Sequence, residues 1–176
     1  MWIRSTISNH PLATALAALA TAGAIAFVLV FFEPQALLID DEVSEAVPTL
    51  QPASAQKTER RAEPKVLGSG EFIGIEGHSA AGTARLLELD DETRFVRFES
   101  DFDVTNGPDL RVYLSAAPPD ASADSYDDEF VDLGELKGNV GSQNYRLPAE
   151  ADPQRYRSAV VWCKRFSVGF AAAGIG

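Results

Sequence analysis

One thiol and two imidazoles stand out among the side chains of this chain: Cys163, His78 and His10. Cys163 lies in Val160-Val161-Trp162-Cys163-Lys164-Arg165-Phe166. A lone thiol has no disulfide partner in its own chain, which leaves redox or covalent work, inert packing, metal ligation or an intermolecular bridge. Lys164 and Arg165 follow at once, and neighbouring cations favour the thiolate, the form that attacks and ligates. A single thiol cannot complete a dithiol cycle, so redox chemistry here would run through a sulfenic acid or a mixed disulfide with a partner. The competing reading is a small apolar core residue, as free cysteines often are.

His78 sits in Glu76-Gly77-His78-Ser79, expected to be a turn, whereas His10 precedes a long apolar run. As an exposed loop residue His78 needs no role; folded against Cys163 it would serve as proton acceptor or second metal ligand. One Cys with one His falls short of the four ligands of a structural zinc site. Trp162 is expected to pack in the core, with service beside an electron path as the lesser alternative. Asp109, in Asn106-Gly107-Pro108-Asp109, is expected to support a turn. The acidic stretch from Asp124 to Asp132 lacks the EF-hand spacing and reads as solvated loop. No Cys-x-x-Cys-His occurs, which excludes covalent c-type haem; nucleophile-elbow, P-loop and dinucleotide motifs are also missing, and no cofactor is evident.

Short apolar runs divided by turn residues must position these groups, with no long stripe of helical period. Strands are expected at 71–75, 82–89, 93–98, 110–114, 130–134, 143–147, 158–163 and 166–170, with a hairpin around Asp90-Asp91-Glu92 and a short helical turn near Asp152 to Tyr156. In the 158–163 strand, alternation puts Ala159, Val161 and Cys163 on one face and Val160 and Trp162 on the other. The fold class is all-β, one sandwich or barrel-like domain over 67–176.

Residues 12–32 are apolar and uncharged, long enough to cross about 30 Å of hydrocarbon as a helix. A cleavable signal is the alternative, but cutting at Ala20-Thr21-Ala22 would leave apolar chain at the new terminus, and Ala53-Ser54-Ala55 lies too far on. Arg4 precedes the span and the next basic residue after it is Lys57. That bias places residues 1–11 in the cytoplasm and the C-terminal domain outside it, in the periplasm or at the cell surface. Residues 33–66, rich in Pro, Ala and acidic groups, read as a flexible tether. A net charge of -11 makes non-specific nucleic-acid binding implausible, because a phosphate backbone needs a cationic surface.

The stations along 67–176 resemble the DM13 family. They are Gly70-Glu71-Phe72; His78 with Gly82-Thr83-Ala84; Asn106-Gly107-Pro108-Asp109-Leu110; Val131 to Asn139; Gly141 to Tyr145; and Val160 to Val168 with Phe170. The resemblance implies an extracytoplasmic β-sandwich-like module of electron transfer with a redox cysteine, here Cys163. DM13 domains can accompany haem- or sugar-binding domains of the DOMON type; no such segment occurs in this sequence, so a redox or envelope partner would supply or accept the electrons. The reading from another function class is a non-catalytic envelope binding module whose cysteine is structural.

Overall fold

The computed structural model describes residues 11–31, 40–50 and 63–176. Helix α1 (Pro11–Phe31) is uncharged, none of its residues is buried, and it is long and apolar enough to cross a membrane. The remainder is all-β, as its alternating runs require. Its strands are β1 (Glu42–Ser44), β2 (Lys65–Gly74), β3 (Ala80–Ala81), β4 (Thr83–Glu88), β5 (Arg94–Phe98), β6 (Asp103–Val104), β7 (Leu110–Ser115), β8 (Phe130–Glu135), β9 (Val140–Arg146), β10 (Ser158–Cys163) and β11 (Val168–Gly174).

The strands form one hydrogen-bonded network in the order β3-β6-β9-β5-β4-β2-β11-β10-β7-β8, with β1 added to β9. The pairings along that path are antiparallel, and β1 with β9 is parallel. Val96 of β5, Val112 of β7 and Val161 of β10 stand far apart in that order yet share one apolar cluster, so the sheet curls over a main interior. Phe72, Phe98, Phe102 and Tyr145 fill it with ring centroids 4.6–5.3 Å apart at tilted or edge-on angles. Such offset geometries suit the quadrupoles of aromatic rings.

Alternation along β10 sorts as expected: Ala159, Val161 and Cys163 join the main interior, and Val160 and Trp162 join a second cluster with Tyr113, Tyr126 and Ala172. The hairpin at Asp90 to Glu92 and the helical turn are present; the latter is a 3-10 turn (Pro153–Arg155) whose Asp152 carboxylate accepts from the Gln154 N–H at 3.0 Å.

Three boundaries differ from the sequence reading: the strand expected at 166–170 is β11, Val168–Gly174, since 164–167 form the hairpin turn. β2 begins at Lys65, and Glu42–Ser44 lies within the stretch expected to be tether yet pairs with Val140–Ser142. The added strand is well held. The Glu45 carboxylate accepts from the Asn144 N–H at 2.8 Å and from Lys137 Nζ at 2.6 Å, and the Asn139 side chain brackets the Asp40–Asp41 backbone and carboxylate. Burial pushes the Glu45 pKa up, but Lys137 and Asn144 outweigh it and hold the group below its ordinary value. Gly141, at φ +92°, makes room: a Cβ there would sit 2.2 Å from the Val43 carbonyl oxygen.

The register places distinct loops at the two ends of the domain. Leu110 opens β7 opposite Cys163, which closes β10 opposite Val168, and Val140 opens β9 opposite Glu42. The Asn106–Asp109 turn, the Lys164–Ser167 turn, the Leu136–Asn139 loop and the entry of β1 therefore share one end. Lys65 pairs with Glu88 and Leu147 donates to the Arg94 carbonyl, so the Asp90–Glu92 turn lies at the other end.

Candidate functional site

Cys163 is placed by strand periodicity and by the two turns that meet over it. The last residue of β10 must face inward when Ala159 and Val161 do, and Cys163 is only 1% exposed. Its Sγ donates to the Pro108 carbonyl at 3.0 Å. Asp109 adopts φ +57°, and its own carbonyl accepts from the Lys164 N–H at 3.1 Å, stitching this turn to the β10–β11 hairpin. Left-handed backbone is uncommon for a non-glycine residue and is best tolerated by Asn and Asp, which suits the residue type here.

Two sets of groups act on the sulfur in opposite senses. Burial pushes the thiol pKa up from its ordinary value; the backbone N–H groups of Phe166 and Arg165 pull it down, the Asp109 carboxylate raises it, and the Arg165 charge lowers it. Burial wins, so the resting group is a protonated thiol. The Asn106–Asp109 turn thus supplies what favours the thiol, an acceptor and a negative charge. The hairpin supplies what favours the thiolate, two N–H donors and a cation.

His78 does not meet the sulfur in any described contact. Its ring stacks on Phe170 with centroids 3.6 Å apart and planes 12° apart. Burial pushes its pKa down, against the nearby Glu76 carboxylate. Phe170 also abuts the turn that covers Cys163: a Cβ on Gly107 would lie 2.7 Å from Phe170 Cζ, so any larger residue there must displace the ring. The layer from His78 through Phe170 to Gly107 thereby supports the turn from its far side.

Trp162 is 3% exposed on the opposite face of β10, 6.1 Å from the Tyr113 ring, and that ring stacks on Phe130 at 4.2 Å. Packing accounts for it. Of the acidic stretch, Asp132 pairs with Arg111 at 2.7 Å and Glu129 with Arg155. Among the described residues no three or more His, Cys, Asp or Glu side chains gather as a metal site.

A cleft of about 320 Å³ opens over the two turns, lined by Asp41, Asn106, Asp109, Glu135, Lys137 and Arg165 among others. It is polar and carries both signs of charge. Beneath it, Tyr145 Oη accepts from the Lys137 N–H at 3.1 Å and donates to Gln143, whose Nε2 donates to the Gly138 carbonyl at 2.8 Å. Of the residues singled out from the sequence, the structure brings Cys163 and Asp109 together at this end, sets His78 on Phe170 and puts Trp162 on the opposite face of β10; Phe170 as the link between His78 and the turn, and Asp41 as part of the rim, were not read from the sequence. The glycines at 107 and 138 were the available signal, since the first marks the close approach of Phe170 and the second that of the Asp41 backbone.

A family model described as "Electron transfer DM13" matches residues 71–175. Comparison with curated proteins and with solved structures gives no match.

Proposed function

The chain belongs to the DM13 family, and from that premise we propose that it is a membrane-tethered, extracytoplasmic redox component whose working atom is Cys163 Sγ. The observation that carries the reading is the opposition around the sulfur: thiol-favouring groups on one turn, thiolate-favouring groups on the other. Movement of the Asn106–Asp109 turn would hydrate the sulfur and withdraw Pro108 and Asp109 together. The N–H groups of Arg165 and Phe166, belonging to the hairpin, would stay. Such a device keeps the thiol inert until a partner displaces the turn.

In this reading the thiolate attacks a disulfide carried by an envelope partner. One bond forms from Cys163 Sγ to a partner sulfur, the partner's S–S bond breaks, and its second sulfur leaves as thiolate to take the released proton. Cys163 is oxidised and the partner disulfide is reduced. A second thiolate, from a small thiol or another envelope protein, then attacks Cys163 Sγ; the mixed S–S bond breaks, the partner sulfur leaves as thiolate and takes a proton, and the attacking sulfur and Cys163 share the new disulfide. His78 acts as a positioning residue through Phe170. α1 anchors the domain, with Arg4 on the cytoplasmic side by charge bias.

The test is trapping in native membranes. Alkylation followed by non-reducing electrophoresis should reveal an adduct of the full-length chain that reductant dissolves and Cys163→Ser abolishes. An adduct pattern identical in wild type and Cys163→Ser would overturn the reading.

The 1% exposure of Cys163 favours one second reading, a non-catalytic binding module with a structural cysteine. Partner capture would then survive both reductant and Cys163→Ala.

A further inference from the structure

The end of the domain that carries Cys163 is also the end at which the chain arrives from α1. β1 runs parallel to β9 and begins beside Val140, with Asp41 on the rim of the same cleft as Arg165. Asp40 follows Phe31 by nine residues, so this rim stays within about 30 Å of the helix end even if that chain is fully extended. The opposite end, with the Asp90–Glu92 turn, lies a strand length farther along, about 20 Å for six residues. A second observation agrees: Arg165 donates to the Phe31 carbonyl and its guanidinium lies 5.2 Å from the Phe31 ring. The third is chemical. The hairpin tip presents Lys164, exposed, and Phe166, 46% exposed, on either side of Arg165. Two long cationic side chains beside an aromatic ring suit the headgroup layer, where stems and ring meet apolar chain and charges meet phosphate.

We propose that the domain rides with this end against the lipid surface, Lys164, Arg165 and Phe166 entering the headgroup layer. The proposal rests on the reading of α1 as a membrane anchor. Asp41, Asp109 and Glu135 at the same end oppose contact with anionic lipid. The tether offsets this, because a short covalent link gives a weak contact a high effective concentration. A reactant bound for Cys163 then has to enter along the plane of the membrane.

The test uses the full-length chain in vesicles of phosphatidylcholine and phosphatidylglycerol. Spin labels are placed by Phe166→Cys or Asp91→Cys on a Cys163→Ser background. The label at 166 should be shielded from an aqueous nickel chelate and open to oxygen, and the label at 91 the reverse. Adding Lys164→Glu and Arg165→Glu should return the first label to water. Vesicles that float with the protein while both labels are equally open to nickel overturn the docking and leave the anchor standing; protein that does not float overturns both. Should Cys163→Ser disturb the fold, Phe166→Trp in a chain that keeps its cysteine gives a second reading. The added indole emission should be lost with lipids brominated on their acyl chains, and unchanged emission overturns the proposal.

Discussion

His78 stacks on Phe170 at 3.6 Å, and the far edge of this pair is Gly107, in the turn that covers Cys163. The histidine offered by the sequence as a partner of the sulfur is thus linked to it through packing, with no contact between the two among the described residues. Mutations along this layer should reach the thiol without touching it.

Gly107→Ala drives a Cβ to within 2.7 Å of the Phe170 ring. Overpacking of this kind costs about 1–3 kcal/mol. The expected outcome is a lower midpoint in denaturant together with faster maleimide labelling of Cys163 under native conditions. Unchanged labelling would show that the turn is not the cover.

Labelling of the native wild type should be slow at neutral pH, since burial holds the thiol protonated. It should accelerate as pH rises above the ordinary cysteine value of 9.0. The sign for stability is set by the same shift. The unfolded chain loses its thiol proton first, so this contribution is whole below about pH 9 and declines as pH climbs towards the raised folded value. Comparing alkaline unfolding of wild type and Cys163→Ala isolates the part due to this residue.

Tyr145→Phe removes a hydroxyl that joins the Lys137 N–H to Gln143. Leaving buried polar groups without partners costs about 1–3 kcal/mol. Loss of stability should come with faster amide exchange at Lys137, within the loop that lines the cleft.

Asn139→Ala cuts the side-chain bonds to the Asp40 carboxylate and the Asp41 N–H. β1 should detach while the body of the domain stays folded. Protease cleavage within 40–48 would increase with little change in the unfolding midpoint; an unchanged cleavage rate would mean that the β1–β9 ladder suffices alone.

Much of the fold was legible because alternation is a strong signal where one face is buried. Cys163 and Trp162 were assigned to opposite faces of β10 on that ground, and they lie there. Alternation marks only 166–170 of β11, and Ala171-Ala172-Ala173 carries little β propensity to extend it. Its position between β2 and β10 settles the matter, since small residues suit a strand packed on both faces. β1 was hidden for a different reason. Three residues in an acidic, proline-bearing stretch have no period to detect, and they become a strand only through Gly141, Asn139 and Asn144, which lie about a hundred positions later. The turn over Cys163 was visible as Asn-Gly-Pro-Asp, but which strand end it would cover depends on the β7–β10 pairing, a long-range choice that local chemistry does not make.

β1 occupies the outer side of β9, where Val140 donates to the Asp41 carbonyl and Glu45 donates to the Ser142 carbonyl. A fragment begun at Leu67 would bare that edge. It would also strip the almost fully buried Arg97 of its bonds to the Glu45 and Ala46 carbonyls. Unpaired strand edges are templates for another copy's backbone, so the trimmed domain should self-associate more readily than the whole chain, as light scattering of the two at equal concentration would show. The segment that leads from α1 into the domain thus doubles as a cap on an otherwise open strand edge.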